Sequence, residues 1–275
     1  MGLLAGEGRL PEVLARAVRA RGRRLVCVQM AGETPALEHL AHVFARLAPE
    51  QWEELEALWH RHAVREVLLA GRFRRGEMVA RLLASGSDLR GFLERLPERG
   101  DQQILDALAR RLAAQGIRVL DQLAYVPDLV APPGLLAGTP LSPAEERDVR
   151  IGLAVGRALA AHEVGQTVVL KHGAILAVEA AEGTDAAIRR GTAMAPGAVV
   201  VKVSRPQQDP RFDLPTVGPE TVEVMRAGRA RVLAVEAFRT IVLERLRLAA
   251  RAEEAGISVF AVEASPLGPR PGEAR

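Results

Sequence analysis

The stretch GLLAGEGRLPEVLARAVRAR (residues 2–21) joins a short apolar segment, a turn with two glycines and an amphipathic run. The last part predicts a helix from Pro11 to Arg21, because its apolar side chains fall three and four residues apart on one helix face. An apolar strand that leads through a glycine turn into a helix is typical of a parallel α/β sheet. This stretch therefore decides the fold class that we expect for the first half of the chain.

The rest of the first half continues the alternation of strands and helices. Apolar runs predict strands at Leu25–Val28, Glu66–Ala70 and Ile117–Leu120. Helical spacing predicts helices at Pro49–His62 and Asp101–Gln115. Together these elements predict a domain built on a parallel sheet with helices between the strands.

The first turn does not match the motif that binds nicotinamide cofactors. That motif needs a third glycine where this chain has Pro11, and an acidic residue after the second strand, where Gln29 and Met30 stand. An oxidoreductase is therefore disfavoured.

Two glycine-containing loops remain candidates for binding phosphate. Gly6 and Gly8 lie in the first turn, where backbone amides and a helix N-terminus favour an anion, and a merely tight turn is an equal alternative. The loop GRFRRG (71–76), which begins at Gly71, follows a predicted strand, where ligands of such sheets gather. Its arginines suit a diphosphate, and a solvated basic loop is an equal alternative.

Proline and glycine concentrate between Pro127 and Pro143, which predicts a domain junction. We place a first domain at residues 1–135, a second at residues 136–264 and a mobile tail at residues 265–275. The motif SPAE (142–145) predicts a helix that begins after a serine cap and ends near His162.

The second half carries more strand signals than the first. His172-Gly173 predicts the turn of an antiparallel hairpin between the strands Thr167–Lys171 and Ala174–Ala180. Further strands are predicted at Ala198–Ser204, Val232–Glu236 and Ser258–Glu263, and helices at Thr184–Arg190, Pro219–Ala227 and Ile241–Ala255. The pattern predicts a mixed-sheet α/β domain.

The composition excludes several classes of protein. The chain has 275 residues, 48% of them hydrophobic, and no apolar run long enough for a membrane span. A net charge of +3 and 3% aromatic residues argue against nucleic acid as a partner. One cysteine permits no internal disulfide and fits a reducing compartment. Lysine occurs only at Lys171 and Lys202 among 37 basic residues, which indicates either two sites that need a compact ammonium or chance.

The densest chemistry lies in the segment KVSRPQQDPRFDLPT (202–216). Its three prolines stiffen a loop in which Asp209 and Asp213 stand four residues apart. Carboxylates of this kind suit a hard cation such as Mg²⁺, and the neighbouring Lys202 and Arg211 suit phosphate oxygens. An ion-paired surface loop is the alternative.

Three motifs of the chain resemble the LpxI family of UDP-2,3-diacylglucosamine diphosphatases. They are GLLAGEGRLP (2–11), LAVEA with EGTD (176–180 and 182–185), and VKV followed by RFDLPTVGP (201–203 and 211–219). The resemblance extends from Gly2 to about Val262.

The resemblance implies a cytoplasmic, Mg²⁺-dependent enzyme of lipid A biosynthesis. Such an enzyme hydrolyses the pyrophosphate of UDP-2,3-diacylglucosamine to UMP and 2,3-diacylglucosamine 1-phosphate (lipid X). It also implies a Rossmann-like N-terminal domain, a distinct α/β C-terminal domain and substrate held between them. The lipid substrate suggests transient contact with the inner-membrane surface, and a homodimer is left open.

The resemblance also implies roles for individual residues. Asp213 is the expected catalytic acid, as a metal ligand or as a water-orienting base. The chemistry of the loop adds Asp209 as a second metal ligand. Lys202 and Arg211 are expected to neutralise the diphosphate, and Glu182 and Asp185 to order the site. The full set of predicted substrate-binding residues is Gly6, Gly8, Gly71, Lys171, Lys202, Arg211, Thr216, Glu182 and Asp185.

The chain departs from the family pattern at a few positions. Phe238-Arg239 stand where glycine and a basic residue are usual, the following acid is Glu244, and Asp101-Gln102 replace a pair of aspartates. We expect the acyl chains near Leu135-Leu136. The alternative to an enzyme is a non-catalytic module that binds a nucleotide or lipid.

Overall fold

The fold is described from a computed structural model, which covers residues 1–73, 91, 101–212 and 214–263. Several sequence predictions lie outside the described residues: Asp213, residues 74–76 of the basic loop, and the tail at 265–275.

The chain forms two compact units. The first comprises Met1–Pro127 together with the short segment Asp209–Asp213. The second comprises Asp128–Gln208 and Leu214–Arg275. The chain therefore returns to its first unit for a few residues in the middle of the loop that the sequence singled out.

The first unit contains a five-stranded parallel sheet in the order β3-β2-β1-β4-β5. Its strands are β1 Gly2–Ala5, β2 Val26–Gln29, β3 Val43–Arg46, β4 Glu66–Ala70 and β5 Arg118–Val119. Its helices within the described residues are α1 Leu10–Ala20, α2 Ala36–Leu40, α3 Trp52–Arg61 and α4 Asp101–Ala114. The predicted Rossmann-like domain is confirmed, and the strand order reverses between β1 and β4, where such folds bind ligands.

Burial explains which strands of this sheet the sequence revealed. β1 and β2 are buried along their whole length, as central strands covered by helices on both faces must be. β3 is an edge strand of four half-exposed or exposed residues, so its sequence VFAR carries neither a buried run nor a clear alternation. It was not predicted, and the strand Glu66–Ala70 is accordingly the fourth, not the third.

The second unit contains a six-stranded mixed sheet in the order β6-β13-β11-β9-β7-β8. Its strands are β6 Gly134–Ala137, β7 Thr167–Lys171, β8 Ala174–Val178, β9 Val199–Lys202, β11 Val232–Glu236 and β13 Ser258–Val262. A separate pair of short parallel strands is formed by β10 Thr216–Val217 and β12 Ile241–Val242. The helices are α5 Pro143–Ala161, α6 Thr184–Met194, α7 Pro219–Ala227 and α8 Arg245–Glu254. The predicted mixed-sheet domain is confirmed.

Local sequence chemistry sets several of these bounds. The Ser142 hydroxyl accepts a hydrogen bond from the Glu145 amide while the Glu145 carboxylate accepts one from the Ser142 amide, so the predicted cap of α5 is confirmed. The hairpin of β7 and β8 turns at His172-Gly173, as predicted, with both residues at positive φ.

One predicted helix is wrong in its first turn, and the short strands β6, β10 and β12 of the second unit were missed. Ile241 and Val242 form the buried strand β12, and α8 begins only at Arg245, after Glu244 at φ 46°. β-Branched residues favour a buried strand over a helix, which explains the error. β6 crosses position 135, where the sequence placed the domain boundary.

The two edges of the second sheet differ in what they carry. The parallel strands β9, β11 and β13 end at Lys202, Glu236 and Val262, and we call this side the carboxyl edge. The opposite side, where these strands begin, is the amino edge. β8 also ends at the carboxyl edge, because it runs antiparallel to β7, which in turn runs antiparallel to β9.

Candidate functional site

A short chain of hydrogen bonds lies at the carboxyl edge of the second sheet, around Lys202. The Lys202 ammonium donates to the Thr184 hydroxyl over 2.8 Å. That hydroxyl donates to Oε1 of Glu179 over 2.9 Å. Lys202 ends β9, Glu179 directly follows β8, and Thr184 is the first residue of α6, so three elements bring these side chains together.

The Lys202 side chain is buried but incompletely paired. The residue is 8% exposed, and taking an ammonium out of water is costly unless anionic or polar groups compensate. Within the described part of the chain, its hydrogen-bond partner is the neutral hydroxyl of Thr184. An ammonium has three donors, so two of them have no acceptor among the described residues. This arrangement suits an anion with several oxygens.

Two buried hydroxyls without partners lie at the same edge. Thr167 opposes Lys202 directly in the strand pairing and therefore shares its face of the sheet. Thr240 follows β11 and is fully buried. Among the described residues, neither hydroxyl oxygen has a hydrogen-bond partner. Buried polar groups are nearly always paired, so these two hydroxyls mark an edge whose polar groups the described residues do not complete.

A buried carboxylate lies on the other face of the sheet at this edge. Glu236 ends β11, and its Oε1 accepts from the Arg157 guanidinium over 2.7 Å. Its Oε2 accepts from the Ser204 backbone amide over 2.7 Å. The Ser204 hydroxyl in turn donates to the Arg239 carbonyl over 3.1 Å. The network joins the backbone that leaves β9 to the turn that follows β11.

In the first unit, Gly6 and Gly71 allow two loops to meet backbone to backbone. A Cβ at Gly6 would lie 2.6 Å from the Arg72 carbonyl oxygen, and one at Gly71, where φ is 90°, would lie 2.7 Å from that of Glu7. The Gly6 amide donates to the Ala70 carbonyl and the Glu7 amide to the Arg72 carbonyl. These two amides are therefore used within the fold, and the structure favours the tight-turn alternative for this part of the predicted phosphate loop.

Gly8 differs from these two glycines. It has a φ of 101°, and a Cβ built on it would meet nothing within 4 Å. Its conformation thus favours glycine, but close packing does not require it.

The segment 209–212 is anchored at the carboxyl ends of β4 and β5. The Gln122 side-chain amide donates to the Leu69 carbonyl over 2.6 Å, and to the Arg211 carbonyl over 3.4 Å. Phe212 is 2% exposed and packs in the hydrophobic core of the first unit. This anchoring fixes the backbone on both sides of Arg211.

The Arg211 guanidinium lies between two carboxylates. It binds both oxygens of Asp209, with a shortest distance of 2.6 Å, and lies 3.5 Å from Asp106 on α4. Burial alone would raise the pKa of Asp209, but the hydrogen bonds from Arg211 outweigh it and lower that pKa below its ordinary value. Asp209 is therefore ionised at neutral pH and orients the guanidinium.

The described residues do not by themselves make up a magnesium site. Among them, no three histidine, cysteine, aspartate or glutamate side chains are grouped so that they could hold a metal ion. Both oxygens of Asp209, one of the two predicted ligands, accept hydrogen bonds from Arg211. The other predicted ligand, Asp213, lies outside the described residues.

Two protein-family models together match nearly the whole chain. Residues 1–129 match the model of the LpxI N-terminal domain, and residues 132–260 match that of the LpxI C-terminal domain. The chain belongs to the LpxI family. A curated relative, the UDP-2,3-diacylglucosamine pyrophosphatase LpxI of Caulobacter vibrioides, is 29% identical over 280 residues, which cover 96% of this chain and 97% of that protein.

Among solved structures, glycinamide-RNase-transformylase T from Mycobacterium tuberculosis is 19% identical to the chain. The alignment covers 63% of this chain and 42% of that one, with a TM-score of 0.23. A score this low carries no argument about the fold or function of this LpxI family member.

The structure brings only some of the residues in the LpxI motifs together. Lys202 lies beside Thr184, and Asp185 is in the same first turn of α6. Glu182 pairs instead with Arg190 over 2.6 Å. The Thr216 hydroxyl donates to the Leu214 carbonyl over 2.9 Å.

Lys171 is separated from Lys202. It ends β7 at the amino edge of the second sheet, where its ammonium donates to the Pro196 carbonyl. The two lysines that the sequence singled out therefore lie at opposite edges of the sheet, because strands β7 and β9 are antiparallel and place their last residues there. The role of Lys171 in substrate binding stays a prediction.

Sequence reasoning assigned no role to Glu179, Thr184 or Gln122. Glu179 stands within the motif LAVEA and Thr184 within EGTD, so their positions beside other candidate residues could have indicated a role in the site. No sequence signal pointed to Gln122, because its hydrogen-bond partners, Leu69 and Arg211, are distant in the chain.

Two further findings bear on function. The single cysteine, Cys27, is buried in β2, and burial raises the pKa of its thiol to about 12, which keeps it from acting as a thiolate. Across the described residues, every helix is too short or too polar to cross a bilayer.

Proposed function

We propose that this chain hydrolyses the pyrophosphate bond of UDP-2,3-diacylglucosamine, releasing UMP and 2,3-diacylglucosamine 1-phosphate for lipid A synthesis. As a member of the LpxI family, it is an enzyme of the UDP-2,3-diacylglucosamine pyrophosphatase type. The observation that carries the proposal is the match to both LpxI domains over nearly the whole chain.

The chemistry of the carboxyl edge supports this reaction. Hydrolysis of a phosphoric anhydride depends mainly on neutralisation of the phosphate charge and on one oriented water. It does not need a covalent intermediate with the enzyme. The Lys202 ammonium, buried against the neutral Thr184, is suited to receive phosphate oxygens. We assign it to charge neutralisation.

Arg211 supplies a second cation, in the first unit. Its guanidinium is oriented by Asp209, so it meets a ligand at low entropic cost. We assign Asp209 to this orientation in addition to its predicted role beside a metal.

Asp213 remains the residue that we propose as the catalytic acid, on the strength of its place in the motif RFDLPTVGP. Dependence on Mg²⁺ is also a proposal. The ion commonly uses one or two carboxylates together with substrate phosphates and water, so Asp213 would suffice as its chief protein ligand. When bound, Mg²⁺ would supply positive charge to phosphate oxygens.

The substrate sets the proposed surroundings. Its two acyl chains partition into a lipid bilayer, so we propose transient contact with the inner-membrane surface from the cytoplasmic side. A homodimer stays a prediction.

The decisive experiment is turnover of the purified full-length chain with the diacyl sugar nucleotide and Mg²⁺, followed by detection of UMP and the sugar 1-phosphate. We expect Asp213→Asn to lower kcat by at least about 100-fold, as the loss of a group that acts in the transition state does. The matched control is Asp128→Asn, because Asp128 is exposed and has no assigned role in the reaction.

Each outcome decides a separate part of the proposal. Binding of the substrate by the wild type without release of UMP would favour a non-catalytic module and overturn the function. Near-normal turnover by Asp213→Asn would overturn only the role of that residue. Turnover that persists after chelation by EDTA would overturn the dependence on Mg²⁺.

A further inference from the structure

Glu236 is a buried carboxylate that the proposed reaction leaves without a role. It is 1% exposed, and no motif of the sequence pointed to it. A carboxylate withdrawn from water is unfavourable unless charge and hydrogen bonds compensate. Here Arg157 supplies the charge and Ser204 the second hydrogen bond.

We propose that Glu236 is a positioning residue, which fixes the backbone immediately after β9 so that Lys202 and the loop that follows hold the geometry needed for hydrolysis. The inference rests on the proposed function. It concerns how the carboxyl edge is held and does not place Glu236 in contact with substrate.

The path from Glu236 to the candidate site is short. Val235 pairs with Lys202 in the strand register, so the ends of β11 and β9 lie side by side. Glu236 accepts a hydrogen bond from the backbone amide of Ser204, which is the second residue after Lys202. A shift of this amide would therefore move the end of β9 and the start of the loop together.

The network extends beyond β9. The Ser204 hydroxyl donates to the Arg239 carbonyl, which belongs to the turn between Glu236 and Thr240. Thr240 carries one of the two buried hydroxyls that lack a partner within the described ranges. One carboxylate thus holds, directly and through Ser204, two backbone segments of the carboxyl edge.

Stability alone does not account for a charge at this position. The neighbouring inward-facing residues of the same strand, Val232 and Ala234, pack in an apolar cluster with Val149 and Leu153. An apolar side chain in place of a buried ion pair is often neutral or stabilising. An apolar residue would, however, leave the Ser204 amide without its acceptor and free the backbone that the carboxylate holds.

Asp148 provides a matched comparison within the same unit. It is also a buried carboxylate, 3% exposed, and also accepts from backbone amides, those of His172 and Gly173, each over 2.7 Å. It lies on α5, as Arg157 does, but nine residues earlier, roughly 13 Å away along the helix axis. It therefore serves the amino edge, whereas Glu236 serves the carboxyl edge.

The test compares Glu236→Gln and Glu236→Ala with Asp148→Asn and Asp148→Ala in the full-length chain. Steady-state turnover of the diacyl sugar nucleotide is measured well below the unfolding midpoint of each variant, with circular dichroism to establish folding. We expect Glu236→Ala to lower kcat by about 100-fold, the loss typical of small misplacements near the reacting groups.

The pattern of kinetic constants separates positioning from structure. KM should change less than about threefold, because the substrate-binding side chains are retained. Glu236→Gln, which keeps the size and one acceptor oxygen of glutamate, should recover part of the lost kcat. Both Asp148 variants should lower the unfolding midpoint while kcat stays within about twofold of the wild type.

The outcomes are distinguishable from failure of the proposed function. If the wild type releases no UMP, the function itself fails and this inference fails with it. If the wild type turns over and a folded Glu236→Ala variant retains kcat within about twofold, the positioning role is overturned alone. Equal losses of kcat in the Asp148 variants would also overturn it, because the effect would then follow from general stability. If Glu236→Ala does not fold, Glu236→Gln, which preserves the shape of the side chain, decides the question by the same criterion.

Discussion

The two edges of the second sheet carry the only two lysines of the chain, Lys171 and Lys202, in contrasting surroundings. At the amino edge, the half-buried Lys171 donates to a backbone carbonyl. At the carboxyl edge, the buried Lys202 donates to a neutral hydroxyl, and two threonine hydroxyls at the same edge have no partner in the part of the chain that the structure describes. Each ammonium has one hydrogen-bond partner among the described residues, but Lys171 remains partly open to water whereas Lys202 is buried. We propose that a ligand completes the donors of Lys202.

Other polar groups follow the same division. At the amino edge, Arg231 donates to the Gly256 carbonyl and to the hydroxyls of Ser258 and Thr139. These hydrogen bonds pair polar groups of the amino edge with one another, so those groups stabilise the fold. In α/β sheets ligands bind at the carboxyl ends of the strands, and here the difference between the edges appears in the pairing of individual side chains.

The strongest test of this comparison replaces each lysine with methionine, which keeps the length of the side chain but removes its charge. We expect Lys202→Met to lower kcat/KM by about 100-fold or more, as loss of a preorganised charge does. Lys171→Met should change kcat/KM by less than about twofold. The measurement is turnover of the diacyl sugar nucleotide, with thermal unfolding as the check on folding; comparable losses for both variants would break the distinction between the edges.

A smaller effect is expected when Thr184 is changed to valine. The Lys202 ammonium then loses its hydroxyl partner, and we expect kcat/KM to fall by about tenfold, the factor for one hydrogen bond to a charged group. Thr139→Val is the control at the amino edge, where the threonine hydroxyl accepts from Arg231. Full activity of Thr184→Val would show that the hydrogen bond from Lys202 to Thr184 on α6 does not contribute to turnover.

The smallest effect concerns stability alone. Ser142→Ala removes the cap of α5, whose first turn pairs with the amino edge through Glu145 and Arg231, 3.5 Å apart. We expect the free energy of unfolding to fall by about 1 kcal/mol, measured by urea denaturation. The kcat of the folded enzyme should remain that of the wild type, and a parallel fall in kcat would mean that the amino edge also contributes to turnover.

Sequence reasoning succeeded where local chemistry fixes structure. The serine cap at Ser142, the hairpin turn at His172-Gly173 and the apolar strand Val232–Glu236 all depend on residues that are close in the chain, and all three were predicted. It failed at Val43–Arg46 and at Ile241-Val242, because partners distant in sequence make those segments strands.

The candidate site was predicted less completely than the fold. Lys202 was identified, but its burial on Thr184 depends on the packing of α6 against the sheet, which no motif specifies. Lys171 was grouped with it because spacing along a sequence does not reveal at which edge of a sheet a strand ends. Glu236 looked like any charged residue at the end of a strand.

The return of the chain to its first unit at Asp209–Asp213 has a consequence for any attempt to divide the protein. A fragment that stops at Pro127 lacks Phe212, an aromatic ring of its own hydrophobic core, and leaves the Gln122 side chain without its Arg211 partner. Removing a buried aromatic side chain typically costs about 3–5 kcal/mol, a large share of the stability of a small domain. The first unit is therefore complete only with the segment Asp209–Asp213 from later in the chain. Gene fusion, truncation or circular permutation must keep both parts on one chain or supply that segment separately.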